Sequence, residues 1–428
     1  MTLVTRRDRH RIYPTEGQIV LLKKILGCYR LIYNHCIDYS EYAYETGASF
    51  PGYYGKGGFA SLITEMKSLP EFSFLKEADS TALQSAARNA GKAYEAMFDK
   101  KAEHPRYKSK RDNRQTYETV NNNNSIRYED HNFIQIPKVG RIKFRGQMRK
   151  HERILSAVIE HTPTDKWFIS VCTEVDLDKR HDKKKLSHGT DEKGIDLGIK
   201  SYMTSFNGRE FGYTENPKTY EKELDKLRKE QRRLSRMREH ETETMRVLGI
   251  HSSNYEKQRI KVARKHERIV NIRNDFLHKL SRRLSEENQT LIMESLSVKR
   301  MMQEAETRKL SRLIADASWG RFTRMLEYKC KESGCSLIFV EEDYPSTKLC
   351  SNCGYYNHDI TLSMRTITCR GCHRTYDRDA NAARNLYKRG LNAGKTAGRW
   401  EPSSAGGRAV SMPVETPVPG ASALNGSL

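Results

Sequence analysis

The 428-residue sequence has no apolar run of about 18 residues, the length that a membrane-spanning helix needs. Its first 13 residues are basic and have no apolar core, so we do not expect a secretory signal there. Hydrophobic residues make up only 36% of the chain and charged residues 30%, which is poor in apolar residues for one compact globule but far from a disordered composition. No internal repeat is visible. The length predicts about two to three domains.

The chain carries a large excess of positive charge. Lys and Arg together number 76 against 54 Asp and Glu, a net charge of +22. Such a charge attracts polyanions, and nucleic acid is the commonest polyanion that a protein of this kind meets. There are nine cysteines, an odd number, and four of them form two Cys-x-x-Cys pairs. This pattern favours a reducing compartment and a metal site over disulfide bonds.

Hydrophobic periodicity predicts helices at the start of the chain and strands after them. Apolar residues at helical spacing predict one helix over 21–33 and another from Ser80, its expected N-cap, to Phe98. Several short strands in a row over 117–176 predict a small antiparallel barrel. Residues 179–185 read as a basic linker.

The second half of the chain shows strands alternating with helices. Residues 194–207 and 291–294 predict strands, and the charged stretch 216–288 predicts a helical hairpin. Residues 310–332 predict one amphipathic helix that Gly334 ends. The chain after Gly390 is rich in Gly, Ala, Ser and Pro and is predicted to be disordered.

The two Cys-x-x-Cys pairs, Cys350 with Cys353 and Cys369 with Cys372, are separated by fifteen residues. Each pair can place two thiolates on one ion from a tight turn. Four thiolates complete a closed tetrahedral zinc site, which is structural because it leaves no position for water. An iron–sulfur cluster is the alternative. The other five cysteines lack such spacing and are interpreted as packing residues.

Two strands carry candidate acidic side chains. In the strand around Asp196, apolar residues point to one face, while Asp196 and its flanking glycines point to the other and leave space for a metal ion and a phosphate. Glu294 closes a short apolar strand, and the carboxyl ends of strands are where α/β sheets commonly bind ligands. Taken singly, Asp196 could equally lie at a strand edge, and Glu294 could simply mark where its strand meets solvent.

A third carboxylate opens a helix after the cysteine pairs. Asp379 shares one helix face with Ala382, Ala383 and Leu386, so it points inward, whereas Asp377 suits an N-cap position. Three carboxylates from separate segments of a basic chain are hard oxygen ligands for Mg²⁺ or Mn²⁺. Two such ions support phosphodiester cleavage. Spacing along the chain does not by itself show that the three residues converge.

Taken together, these segments resemble one known family. Its marks are Gly194-Ile-Asp-Leu-Gly-Ile-Lys200, then Glu294, then Tyr344-Pro-Ser-Thr-Lys-Leu-Cys-Ser-Asn-Cys-Gly354, and finally Asp377-Arg-Asp-Ala-Asn-Ala-Ala-Arg-Asn385. The chain resembles TnpB (OrfB), the RNA-guided nucleases of insertion sequences, which are related to the miniature type V CRISPR effectors. The resemblance covers about residues 5–390. Ser295 stands where the family more often has Asp, which leaves the three acids untouched.

The resemblance implies a multidomain fold of mixed α/β and α+β class. A small β-barrel wedge domain (1–18 and 115–185) would hold an inserted helical recognition segment (19–114). A RuvC-like nuclease domain of RNase H fold would span 190–345 and 376–390, with the helical hairpin 216–288 and a zinc ribbon, 346–375, inserted. A disordered tail, 391–428, would follow. Asp196, Glu294 and Asp379 would be catalytic and hold two Mg²⁺ or Mn²⁺ ions, and the four cysteines would hold one Zn²⁺.

The implied partners are a guide RNA made from the end of the insertion sequence and a double-stranded target DNA. The guide RNA would pair with the target beside a short adjacent motif, which the protein would read. We further expect the protein to be a monomer in the RNA complex, to lie in a prokaryotic cytoplasm and not to associate with a membrane. Polar, aromatic and basic residues are expected to contact nucleic acid. They could equally be ordinary turn, packing or salt-bridged surface residues: Tyr53, Gln84, Asn122, Asn123, Asn124, Arg232, Arg233 and Arg236.

The function expected from these observations is RNA-guided, metal-dependent cleavage of DNA. An RNA-guided DNA-binding regulator without cleavage is the first alternative, and loss of one acid would mark it. A strand-joining transposase with similar metals is the second. A plain zinc-ribbon DNA-binding factor fits poorly, because it explains neither the three acids nor the length.

Overall fold

The computed structural model describes residues 3–54, 57–112, 114–146, 152–176, 191–242, 244–245, 250–361 and 364–396. These residues form two compact units. The first comprises Met1–Lys184 and Pro217–Asp275, and the second comprises Lys185–Asn216 and Phe276–Leu428. In the described part of the chain, no helix is both long and apolar enough to cross a membrane.

The first unit combines seven strands with helices. Its strands are β1 (Leu3–Tyr13), β2 (Gln115–Val120), β3 (Arg127–Glu129), β4 (Phe133–Ile136), β5 (Gly140–Arg145), β6 (Arg153–His161) and β7 (Trp167–Asp176). Its helices are α1 (Glu16–Glu45), α2 (Phe59–Ser68), α3 (Ser80–Phe98), α4 (Lys218–Glu239) and most of α5 (Ser253–Glu287), with short 3-10 helices at Pro70–Lys76 and Asp130–Asn132. The predicted helix over 80–98 is confirmed, although its N-cap is Asp79 instead of Ser80.

The seven strands form one antiparallel sheet in the order β2-β6-β7-β1-β5-β4-β3. The prediction of a closed barrel is wrong for the described residues, because β2 and β3 stand at opposite ends of this order. Closure would require these two strands to pair along their length, and β3 is only three residues long. Apolar residues of α1 and α3 cover the sheet instead and share one buried core with it.

The hairpin helices α4 and α5 pack through Leu227, Val262 and Ile269. Buried Glu223 ties them together, because it accepts ion pairs from Lys265 and Arg268 across the hairpin. The predicted helical hairpin is therefore present, and its residues up to Asp275 belong to the first unit. The predicted basic linker at 179–185 lies outside the described residues.

The second unit is built on a five-stranded sheet. Its elements are β8 (Glu192–Leu197), β9 (Ser201–Phe206), β10 (Phe211–Glu215), β11 (Thr290–Glu294), α6 (Val298–Gln303), α7 (Arg308–Ala317), α8 (Trp319–Ser333), β12 (Ser336–Val340), β13 (Thr366–Thr368), β14 (Thr375–Asp377) and α9 (Arg378–Thr396). The strand order is β10-β9-β8-β11-β12, with the β8, β11 and β12 strands parallel and the other pairs antiparallel. β13 and β14 form a separate hairpin beside the cysteine pairs.

Both faces of this sheet are covered by helices. On one face, Ile195, Leu291 and Met293 pack against α8 and the end of α5, and on the other, Ile292 and Val340 pack against Leu386 of α9.

Two predictions about helices and disorder need correction. The single helix over 310–332 is divided at Ser318, whose left-handed backbone (φ 53°) ends α7 and begins α8. The predicted disorder is wrong for residues 391–396, which continue α9, and the remainder of that tail lies outside the described residues.

Candidate active site and metal centre

Asp196 and Glu294 lie side by side at the carboxyl ends of neighbouring parallel strands. Ile195 of β8 pairs with Met293 of β11, and the two acids are the next residues on their strands. Because side chains alternate along a strand, both carboxylates point to the face opposite Ile195 and Met293. The sheet register thus brings together two residues that are almost a hundred positions apart in the sequence.

The helix α9 brings Asp379 to the same face of the sheet. It packs directly over Gly194, where an added Cβ atom would lie 2.4 Å from the carbonyl oxygen of Ala383. Asp379 lies in the first turn of this helix. Ala382 and Ala383, which share its helix face, are buried, as the spacing predicted. The side chain of Asp377 accepts a hydrogen bond from the backbone N–H of Ala380 at 2.9 Å, which is the capping role predicted for it.

The electrostatics of this cluster oppose full ionisation. Burial raises the pKa of Asp196 well above its usual range, and the negative charges of Asp379 and Glu294 raise it further. Burial also raises the pKa of Glu294 to about 7, with a smaller contribution from Glu342. A bound cation would offset the negative charge that raises the pKa of Asp196, so the donor set fits Mg²⁺ or Mn²⁺.

Two arginines, which the sequence analysis did not identify, contact Asp379. Arg365 Nη1 lies 2.6 Å from Asp379 Oδ2, and Arg378 Nη2 lies 3.0 Å from Oδ1. Arg378 adjoins the acid in the sequence, which is a local signal. Arg365 precedes β13, and only folding of the cysteine-bearing segment brings it to the acid. The cluster therefore contains positive side chains suited to a phosphate as well as carboxylates suited to a metal.

The four cysteines converge as their spacing predicted. Cys350 Sγ lies 3.7 Å from Cys372 Sγ, and Cys353 Sγ lies 3.6 Å from Cys369 Sγ. Zn–S bonds of 2.3 Å in a tetrahedron require sulfurs about 3.8 Å apart, so the site fits one structural Zn²⁺. Within the described ranges, these cysteines are the only set of three or more His, Cys, Asp or Glu side chains whose ligand atoms all lie within 4.8 Å of one another. The other five cysteines are buried, as expected for packing residues.

Two asparagines of α9 hold the first cysteine turn. Asn381 Nδ2 donates to the carbonyl of Leu349 at 2.7 Å, and its Oδ1 accepts from the N–H of Ser351 at 2.7 Å. Asn385 Nδ2 donates to the carbonyls of Ser346 and Leu349 at 2.8 and 2.7 Å. These buried amides fix the cysteine-bearing segment to the helix that begins with Asp379. The i, i+4 spacing of two amides on an alanine-rich helix was the signal in the sequence.

In the first unit, residues expected to read DNA lie at the start of α3 and after β2. The hydroxyls of Thr81 and Thr119 lie 2.7 Å apart, and both bond to the carboxylate of Asp79. This network fixes the start of α3, with exposed Gln84, to the strand that precedes the asparagine loop. Asn122, Asn123 and Asn124 are exposed in that loop, and Asn123 and Asn124 have left-handed backbones.

The other expected nucleic-acid contacts have mixed surroundings. Tyr53 is half-buried and packs against the core of the first unit, and the guanidinium of Arg88 lies 5.4 Å from its ring centre. Arg232, Arg233 and Arg236 are exposed on α4. The structure therefore leaves Gln84, the asparagine loop and these arginines accessible, and gives Tyr53 a packing role in addition.

Comparisons with known proteins agree with this arrangement. Residues 170–305 match a family model described as "Probable transposase" (OrfB of IS605), and residues 319–386 match the Cas12f1-like TNB domain. Residues 1–49 match the helix-turn-helix domain of the same OrfB family. A Streptomyces pristinaespiralis protein called "Putative RNA-guided DNA endonuclease" is 33% identical over 393 residues, covering 92% of this chain and 91% of the relative.

The chain belongs to the TnpB (OrfB) family. A second family member, "Putative RNA-guided DNA endonuclease InsQ" of Escherichia coli, is 27% identical over 401 residues, covering 89% of this chain and 91% of the relative. Among solved structures, that of a Cas12f1–sgRNA–target DNA complex aligns with a TM-score of 0.56 at 11% identity, covering 90% of this chain and 99% of that one. This TnpB chain is thus similar in fold to Cas12f1.

Proposed function

We propose that this TnpB protein is an RNA-guided, metal-dependent endonuclease that cuts double-stranded DNA next to a short adjacent motif. The observation that carries the proposal is the convergence of Asp196, Glu294 and Asp379 at one end of the second unit's sheet. Membership of a family with relatives named "Putative RNA-guided DNA endonuclease" supports the same activity. The RuvC-like domain of the expected boundaries, 190–345 and 376–390, would carry the reaction.

The three acids would form the ligand set for two Mg²⁺ or Mn²⁺ ions. When bound, such ions supply the charge that activates a water and stabilises the leaving oxygen of a phosphodiester. Asp196 and Asp379 would flank the ions from facing elements, while Glu294 would complete the set and orient the attacking water. Arg365 and Arg378, which pair with Asp379 in this structure, would contact the phosphate group whose charge increases during the reaction.

The first unit would position the nucleic acids. Base pairing with the guide RNA would supply sequence specificity, and the protein would read backbone shape and the adjacent motif. Gln84 and the asparagine loop suit adenine edges and lie on elements that Asp79 and Thr119 hold together. Tyr53 would support this surface. Arg232, Arg233 and Arg236 would neutralise phosphates along a duplex.

The test is a plasmid-cleavage assay with protein expressed together with its flanking element DNA, so that a guide RNA co-purifies. With Mg²⁺ and a matched target carrying a randomised flank, we expect cleavage that requires the RNA and reveals the motif. Asp196→Ala should abolish cleavage, whereas Asp191→Ala, which removes an exposed carboxylate from the same segment, should not. RNA-dependent binding without cutting would instead establish the regulator, and strand joining would establish the transposase.

A further inference from the structure

An aromatic pair lies on the edge strand of the second unit, in line with the candidate acids. Tyr213 of β10 is paired with Thr204 of β9, which in turn is paired with Asp196 of β8. Residues directly opposite one another across a sheet share a face. Tyr213 therefore lies on the face of Asp196, two strands away and about 10 Å across the sheet.

Phe211 occupies the same face of the same strand. It pairs with Phe206, which pairs with Gly194, the residue over which α9 packs. Residues i and i+2 of a strand are about 6.8 Å apart. The rings of Phe211 and Tyr213 are therefore two separate surfaces along the same face of β10. Phe211 is 40% exposed and Tyr213 59% exposed.

Packing accounts for only part of this arrangement. Phe206 is buried and contacts Tyr387 of α9 edge-on at 5.3 Å, and Phe211 lies against Phe206 at 4.7 Å. Part of the Phe211 ring is thus used in packing, and 40% of the residue remains exposed. Tyr213 extends further from this core, and its large exposed surface is not explained by packing.

Charged side chains of both signs lie beside the pair. Burial and the charges of Asp377 and Asp379 raise the pKa of Tyr213, which is consistent with a position near the start of α9. The guanidinium of Arg384 lies 5.3 Å from the ring of Phe206, beside the pair. Aromatic rings next to cations are the elements from which single-stranded nucleic-acid sites are built, because every base has a face that can stack.

We propose that Phe211 and Tyr213 form a stacking platform for the unpaired bases of the DNA strand that enters the acidic cluster. This inference rests on the proposed nuclease function and adds to it a substrate-binding surface. The platform would hold the strand by its bases, without preference for sequence, while the phosphate between them and the acids is presented for cleavage. A strand whose bases are paired in a duplex could not use it.

Crosslinking tests the platform without requiring cleavage. The full-length protein with its guide RNA, in an Asp196→Ala background that keeps DNA intact, would be irradiated with single-stranded DNA containing 5-iodouracil. This base crosslinks to aromatic side chains on which it stacks, and mass spectrometry of the digested complex locates the attached peptide. We expect attachment at Phe211 or Tyr213. Phe339 provides the matched control, because it is also 40% exposed and lies on the other edge strand, paired with Met293 on the opposite face.

Variants complete the test in the cleavage-competent protein. Tyr213→Ala and Phe211→Ala should each lower kcat/KM for cutting by about 5- to 100-fold, the range expected for loss of one stacked base. Tyr213→Phe should keep the activity, since it keeps the ring, and Phe339→Ala should behave as wild type. The platform is refuted if no crosslink maps to β10 or if Tyr213→Ala matches Phe339→Ala. Cleavage that depends on Asp196 but not on Tyr213 would support the nuclease function and refute the platform. Crosslinks at Tyr213 in a protein that does not cut would support the platform and refute the nuclease function.

Discussion

Replacing Glu294 with glutamine should stabilise the second unit in the absence of divalent cations. Burial raises the pKa of Glu294 from 4.5 to about 7, so the folded state disfavours the ionised form. A shift of that size corresponds to about 3 kcal/mol at pH 8. Solvent screens part of this, because Glu294 is only half-buried, and we expect Glu294→Gln to gain about 1–2 kcal/mol. For a unit of this size, that raises its melting temperature by a few °C.

The pH dependence of this gain has a definite sign. A carboxyl whose pKa is raised on folding adds most to stability when protonated, and that contribution is lost as the pH rises from 4.5 through about 7. The advantage of Glu294→Gln should therefore be absent near pH 4.5, grow up to about pH 7 and stay constant above it. Adding Mg²⁺ should raise the melting temperature of the wild type and reduce the advantage, because the ion binds the ionised acids.

The assay is calorimetry of the full-length protein between pH 4.5 and 8, in buffers freed of divalent cations without a chelator, so that bound zinc stays in place. Glu341 provides the matched control. Its pKa is lowered by Arg389, which lies 3.0 Å away. Glu341→Gln should therefore destabilise the unit at pH 8 and lose that effect at low pH. A shift of the melting temperature in the same direction for both variants, or a gain from Glu294→Gln that does not change with pH, would contradict a raised pKa at Glu294.

Three further predictions concern the zinc ribbon, the arginines and the asparagines. Cys353→Ser should release zinc, measured by metal analysis, and abolish cleavage; retention of one equivalent of zinc with full activity would contradict the structural role. Arg365→Ala should lower kcat by about 10²-fold or more with unchanged DNA affinity, whereas Arg370→Ala should have little effect; equal rates for the two variants would remove Arg365 from the site. Asn381→Asp should keep zinc but raise the Mg²⁺ concentration needed for half-maximal cleavage. The buried control Asn288→Asp should lower stability alone. An unchanged Mg²⁺ requirement in Asn381→Asp would disprove that the contact of this amide with the cysteine-bearing segment affects metal binding by the acids.

Predictions from the sequence agree best with the structure where the determining pattern is local. Periodicity placed α3, the strands of the second unit and the inward-facing residues of α9 close to where the structure has them. It was wrong where long-range packing decides. The strands of the first unit form an open sheet covered by helices, since nothing in their alternation states whether β2 and β3 meet. The break at Ser318 was missed, because a left-handed residue between two helical stretches leaves the apolar spacing almost intact.

Local patterns in the sequence were enough to predict the four cysteines of the candidate zinc site, the three candidate acids and the family. Metal-binding turns depend on spacings of two or three residues, and the acids lie in short motifs. The folded structure was needed to show that Arg365 contacts Asp379, that Asn381 and Asn385 bond to the cysteine-bearing segment, and that Tyr213 lies opposite Asp196 across β9. These relations depend on strand register and helix packing. Register and packing are set by burial of apolar surface between segments far apart in the chain, and no local spacing encodes them.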